Sequence, residues 1–174
     1  MLEYGRYGKG TPILGELQEG WGDKEKGECA GLRVSRDMSD LHEACRLGDL
    51  SLVQRFLLDP TASINSPDSK QGWTPLYRAV ICAHLPVVSL LLRMGADPNI
   101  QHALGETALH HAAESGYVDI ARTLLGAGAD PNIQQSDGDT ALHKAVLRGD
   151  FLLASLLLET RANPNLSNHT VEAR

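Results

Sequence analysis

A period of 33 residues constrains this chain more than any other feature it has. Trp73-Thr74-Pro75-Leu76-Tyr77-Arg78-Ala79 recurs as Glu106-Thr107-Ala108-Leu109-His110-His111-Ala112 and again as Asp139-Thr140-Ala141-Leu142-His143-Lys144-Ala145, with the threonines 33 apart each time. A second signature, Gly95-Ala96-Asp97-Pro98-Asn99, returns as Gly128-Ala129-Asp130-Pro131-Asn132 and, worn, as Arg161-Ala162-Asn163-Pro164-Asn165. Segments 69–101 and 102–134 share 13 identities in 33, and 102–134 shares 13 with 135–167. Composition alone would give roughly two or three. Self-similarity of this kind is the mark of stacked units, each unable to bury its apolar face alone.

A fourth copy precedes these. Ser39-Asp40-Leu41-His42-Glu43-Ala44 follows the threonine motif, with Ser39 in the threonine place and two residues inserted before the next copy. The sequence therefore divides into a Gly-rich leader at 1–33, repeats at 34–68, 69–101, 102–134 and 135–167, and a short tail at 168–174. The leader has little apolar periodicity and is expected to be mostly disordered.

Each copy reads as two short helices. Thr107 is a helix N-cap candidate, because its hydroxyl can accept an orphan backbone N–H. Leu109, Ala112 and Ala113 form one small apolar face at i, i+3, i+4. Gly116 ends this helix, as Gly48 and Gly149 do in their copies. Asp119, or Pro86 one repeat earlier, suits the first turn of a second helix. Ile120, Leu124 and Leu125 make its buried stripe, and Gly128 stops it. Helices this short are marginal alone and gain stability by stacking.

The period, the Thr-Pro-Leu-His-like motif and the Gly-Ala-Asp-x-Asn signature together resemble the ankyrin repeat, over about 34–167 of the 174 residues. The resemblance implies an all-α repeat solenoid of four stacked helix-turn-helix units with projecting β-hairpin loops. It also implies that the motif histidines His42, His110 and His143 bond to backbone and to the motif threonine. Three departures stand out. Tyr77 replaces the motif histidine, Ala83 the helix-ending glycine, and Arg161 the second glycine. Arg161 lacks glycine's ease at positive φ, so that corner should be strained or differently capped.

Composition bears on what such an array could bind. The 16 Lys and Arg against 22 Asp and Glu leave a net charge of −6, which argues against a nucleic-acid binder held by phosphate contacts. The longest apolar run, around Phe151–Leu158, is too short to span a bilayer. The first residues carry no apolar core of a signal peptide, and Cys29, Cys45 and Cys82 do not make a disulfide framework. The expectation is a soluble chain of the cytoplasm or nucleus. Chemistry candidates are few. His42 and Cys45 look superficially like a metal pair, but zinc needs three or four converging ligands. Cys45 falls where other copies have Val80, Ala113 and Val146, so it reads as a buried structural thiol. No nucleophile elbow, phosphate loop or paired-carboxylate motif is present. The expectation is a non-enzyme without metal or cofactor.

Function is then expected at positions that vary between copies while the scaffold recurs. These are the hairpin tips (Lys70, Gln71, Trp73; Leu104, Glu106; Asp139) and the ends of the first helices (Arg46, Leu47; Ile81, Cys82; Glu114; Leu147, Arg148). By resemblance they line a concave groove that binds a protein partner. Trp73, Ile81, Leu104 and Leu147 are expected to form an exposed apolar patch, with Trp73 its best anchor. Resemblance also marks Asn99, Asn132 and Asn165 as candidates for asparagine hydroxylation, against the plainer role of stiffening their turns. The reading is a protein-interaction adaptor, expected to be monomeric, with an exposed C-terminal edge where Leu152 takes an outward position. Two alternatives are a regulatory inhibitor of a kinase or transcription factor, and a substrate-recruiting subunit of a ubiquitin ligase, which would need a cullin-linking box in addition.

Overall fold

The structure, a computed structural model, describes residues 40–59 and 62–169. The leader at 1–33 and Ser39 lie outside the described residues. Among the described residues, eight helices follow one another in four antiparallel pairs: α1 (Leu41–Leu47) with α2 (Leu50–Leu57), α3 (Pro75–Ile81) with α4 (Leu85–Arg93), α5 (Ala108–Ser115) with α6 (Val118–Gly126), and α7 (Ala141–Arg148) with α8 (Phe151–Glu159). First helices pack on first helices and second on second along the array, which makes a two-layer all-α solenoid. Ala44, Ala79, Ala112 and Ala145 recur at the centre, fully buried, and let neighbouring first helices approach closely. Leu91, Leu124 and Leu157, also fully buried, fill the layer of second helices.

Local chemistry sets the helix starts. The Thr74 hydroxyl accepts from the Tyr77 N–H at 3.2 Å. Thr107 and Thr140 donate their backbone N–H to Nδ1 of His110 and His143, each at 3.1 Å. The first unit differs, since Asp40 caps α1 by accepting from the His42 N–H at 3.1 Å. Asp49 and Asp150 cap α2 and α8 in the same way.

The projecting loops are tight turns, and no strand is assigned among the described residues. They are still knitted as a ladder. Within the loops, the Asp68 N–H donates to the Trp73 carbonyl, His102 to Glu106, and Gln135 to Asp139. Between loops, Ala103 donates to Gln71, Ser136 to Leu104, and His169 to Asp137.

Both sequence departures at glycine positions carry a positive φ. Ala83 sits at 56° and Arg161 at 73°, whereas glycines hold the matching corners in other units. An L-residue there costs about 1–2 kcal/mol. Ala83→Gly and Arg161→Gly should each stabilise the fold by about 0.5–1 kcal/mol, read as a rise in melting temperature. A fall in either variant would show that the side chain itself holds the corner.

Candidate functional site

Where the hairpins meet the first helices, the structure separates groups held inside the array from groups left in water. Trp73 was expected to be exposed and is only 3% so. Its ring lies under the Arg78 guanidinium, 4.3 Å from Cζ, and against Tyr77 at 5.6 Å. Ile81 is likewise buried, at 5%. Tyr77, standing where other copies have histidine, continues an aromatic contact series into the third unit, with His102 at 4.8 Å and His111 at 5.8 Å. The expected apolar groove patch therefore reduces to Leu104, half exposed at 49%, and Leu147. Leu47 is half-buried.

The acidic groups are also more committed than their pattern suggested. Glu106 accepts from the Tyr77 hydroxyl at 3.2 Å and faces Lys144 Nζ of the next unit at 3.5 Å. The Leu104 N–H donates to His102 Nδ1 at 3.0 Å, which puts the ring proton on Nε2, 3.3 Å from Glu106 Oε2. Burial raises the Glu106 carboxyl, but the His102 hydrogen bond and the Lys144 charge outweigh it and hold it at about 2. Asp139 is buried and accepts from Asn168 Nδ2 at 2.6 Å. Neither carboxylate is a free steering charge.

Asp68, which the repeat pattern does not single out, organises the first described hairpin. Its Oδ1 accepts four backbone N–H groups, from Lys70, Gln71, Gly72 and Trp73, and its Oδ2 accepts from Arg78 at 2.7 Å. Burial raises this carboxyl too, and the N–H and guanidinium donors bring it down to about 2. The signal was an aspartate opening a loop, which readily bonds backbone ahead of itself. What could not be read was that Arg78, ten residues on, completes the cage over Trp73.

The groups left for contact are Lys70, Leu104, Glu114, Leu147 and Arg148, all exposed. Glu114 lies 3.8 Å from Lys144, and Arg148 donates to the Glu114 carbonyl at 3.1 Å. Arg46 is half-buried against Glu43, Gln71 is half-buried, and Cys82 is half-buried and has a partner of its own. Cys45 is a buried free thiol, pushed up to about 12 by desolvation and by Asp40. His110 bonds Thr107 through Nδ1, leaving Nε2 to donate to the Asp139 carbonyl at 3.2 Å; burial lowers its pKa. Among the described residues no group of three His, Cys, Asp or Glu is placed to hold a metal, and no helix is long and apolar enough to cross a membrane.

The asparagines bridge successive units. Asn99 Oδ1 accepts from the Asp130 N–H at 2.8 Å, and its Nδ2 donates to the Gly128 carbonyl at 3.2 Å. Asn132 repeats both contacts to Asn163 and Arg161. Asn165 is exposed, and its N–H donates to Asn163 Oδ1. On the opposite side of the array, α2, α4 and α6 border a shallow groove lined by Leu50, Gln54, Pro86, Leu90, Arg93 and Thr123, a feature absent from the sequence reading.

Comparison with known proteins agrees with this geometry. The family profile "Ankyrin repeats (3 copies)" matches residues 41–135 and 95–168. The mouse (Mus musculus) 2-5A-dependent ribonuclease is 40% identical over 74 residues, 42% of this chain and 10% of that protein. Human (Homo sapiens) "Ankyrin repeat domain-containing protein 40" is 42% identical over 75 residues, 43% of this chain and 20% of that one. The Dictyostelium discoideum "26S proteasome non-ATPase regulatory subunit 10" is 32% identical over 97 residues, 56% of this chain and 39% of its own length. The chain thus spans well under half the length of each of these relatives.

Proposed function

The chain belongs to the ankyrin-repeat family, and from that premise we propose that it is a non-enzymatic adaptor that holds a protein partner against its hairpin and first-helix side. Repeats of this family generally mediate protein–protein contacts. The observation that carries the reading is the set of groups that change identity from unit to unit on one backbone and still reach water. Lys70, Leu104, Glu114 and Arg148 are four such groups, one apolar and three charged. Scaffold residues at neighbouring positions are buried and recur. An exposed leucine among charges of both signs fits a partner segment with an apolar anchor flanked by charged residues, steered by electrostatics.

The test uses Leu104→Asp with Glu114→Lys, both at exposed positions of the third unit. Affinity purification with quantitative mass spectrometry from cells should recover a partner with the wild-type chain. The double variant should retain it at least roughly tenfold less well, as expected when a contact worth over 1.4 kcal/mol is lost. Equal recovery by a folded double variant would move the binding surface elsewhere, the groove between α2, α4 and α6 being the next site to test.

A further inference from the structure

Ser69, His102, Gln135 and Asn168 follow one another at the 33-residue period, each in a hairpin loop. Of the four side chains, only the imidazole changes its charge near neutral pH. His102 stands at the foot of the tip that carries exposed Leu104. In that loop the His102 N–H donates to the Glu106 carbonyl at 3.1 Å, and the Gly105 N–H to the His102 carbonyl at 2.8 Å. The Leu104 N–H, between them, donates to a side chain instead, His102 Nδ1 at 3.0 Å. The Leu104 carbonyl accepts from the Ser136 N–H of the next loop at 3.1 Å and from the Ser136 hydroxyl at 2.7 Å. One lone pair on His102 therefore holds a tip to which the fourth unit's loop is tied.

The ring itself has little freedom. Its side chain is only 6% exposed. Nε2 lies 3.0 Å from the Tyr77 hydroxyl and 3.3 Å from Glu106 Oε2, and the ring meets that of Tyr77 edge-on at 4.8 Å. Tyr77 belongs to α3, so the preceding unit fixes the imidazole. The ionisable groups that face it are Tyr77, Glu106, Lys144 of α7, 3.5 Å from Glu106 Oε1, and buried His110 of α5, whose ring acts on the same carboxylate. Lys144 is shared with Glu114 at 3.8 Å. Glu106 attracts a positive charge on the ring, and Lys144 repels it.

A second proton on the ring goes to Nδ1, because Nε2 already carries one. Nδ1 then becomes a donor and confronts the Leu104 N–H across 3.0 Å. Nε2 remains held at Glu106 and Tyr77, so the exposed tip is the part that yields. We propose that His102 is a proton-operated latch. Neutral, it fastens the hairpin tip of the third unit through the Leu104 N–H; protonated, it releases that tip and with it the Leu104 carbonyl bonded to Ser136. The consequence for a partner, that pH alters how Leu104 is presented, rests on the adaptor reading, whereas the latch does not.

The test is nuclear magnetic resonance of the free full chain, titrated from about pH 8 to pH 5, where histidine side chains change charge. Glu106 and Asp68, held at about 2, stay ionised throughout. At the alkaline end the His102 ring should show the Nε2–H tautomer. On acidification the Leu104 amide proton should move upfield as its hydrogen bond is lost, and the Ser136 amide should move with it, both sharing the midpoint of the His102 ring. In His102→Asn the side-chain carbonyl can still accept a backbone N–H two residues on but takes no proton, so both amides should stay in place. Should that variant fail to fold, the wild-type midpoints decide alone. A His102 ring that does not titrate in this range overturns the latch. So does a Leu104 amide that ignores the ring, or one that moves equally in His102→Asn. No partner is present in the titration, so its failure leaves the adaptor reading intact, and loss of that reading leaves the titration unchanged.

Discussion

Trp73→Ala is expected to cost the folded protein about 3–5 kcal/mol, as truncation of a buried aromatic side chain does. That is a large share of the 5–15 kcal/mol typical of a domain. Seen in the sequence, this residue was the best anchor of an exposed apolar patch, with a smaller effect on stability expected than from Leu109→Ala. The structure reverses the order. Trp73 is buried between the Arg78 guanidinium and Tyr77, and Asp68 holds both the Trp73 backbone and Arg78. Removing the indole leaves a void and frees the cation from its aromatic face. Urea denaturation followed by circular dichroism measures the loss, with Leu109→Ala as a reference of about 2–5 kcal/mol. A cost under about 1 kcal/mol would mean that the hairpin contributes little to the array.

Glu106 should be the second large effect. Its replacement by alanine leaves Lys144, mostly buried, without its closest carboxylate, and breaking a buried pair on one side costs about 3–5 kcal/mol. Glu106→Lys should be worse, because it sets a cation beside Lys144. The pH dependence gives an independent check. The folded carboxyl is held at about 2, below its usual 4.5. Its stabilisation is therefore complete above about pH 4.5 and is lost as pH falls toward 2. The amount is on the order of 3 kcal/mol. Asp68, also held at about 2, adds to the same acid loss. The stability gap between wild type and Glu106→Gln should be widest near neutral pH and close by about pH 2. A gap that does not change between pH 7 and 3 would remove the ionic role.

The sequence by itself determined the architecture, because a 33-residue register of capping threonine, small alanines and leucine stripe admits few other ways to bury its apolar faces. It also located the corners at Ala83 and Arg161, since positive φ is a property of the local backbone. The outward position of Leu152 was legible too, since the other copies carry Ser51, Pro86 and Asp119 there. Which varying residues remain free was decided only by tertiary structure. Trp73 and Leu104 are alike as letters in a hairpin, yet one is covered by Arg78 of its own unit and the other faces water. Glu106 and Glu114 are likewise both acids beside positions that recur between units. Lys144, His102 and Tyr77 converge on Glu106 from three units of the stack, whereas the Glu114 side chain stays 45% exposed. Burial and pairing at these places depend on the side chains of adjacent units and on rotamers that carry no period, so the repeat that reveals the scaffold is silent about them.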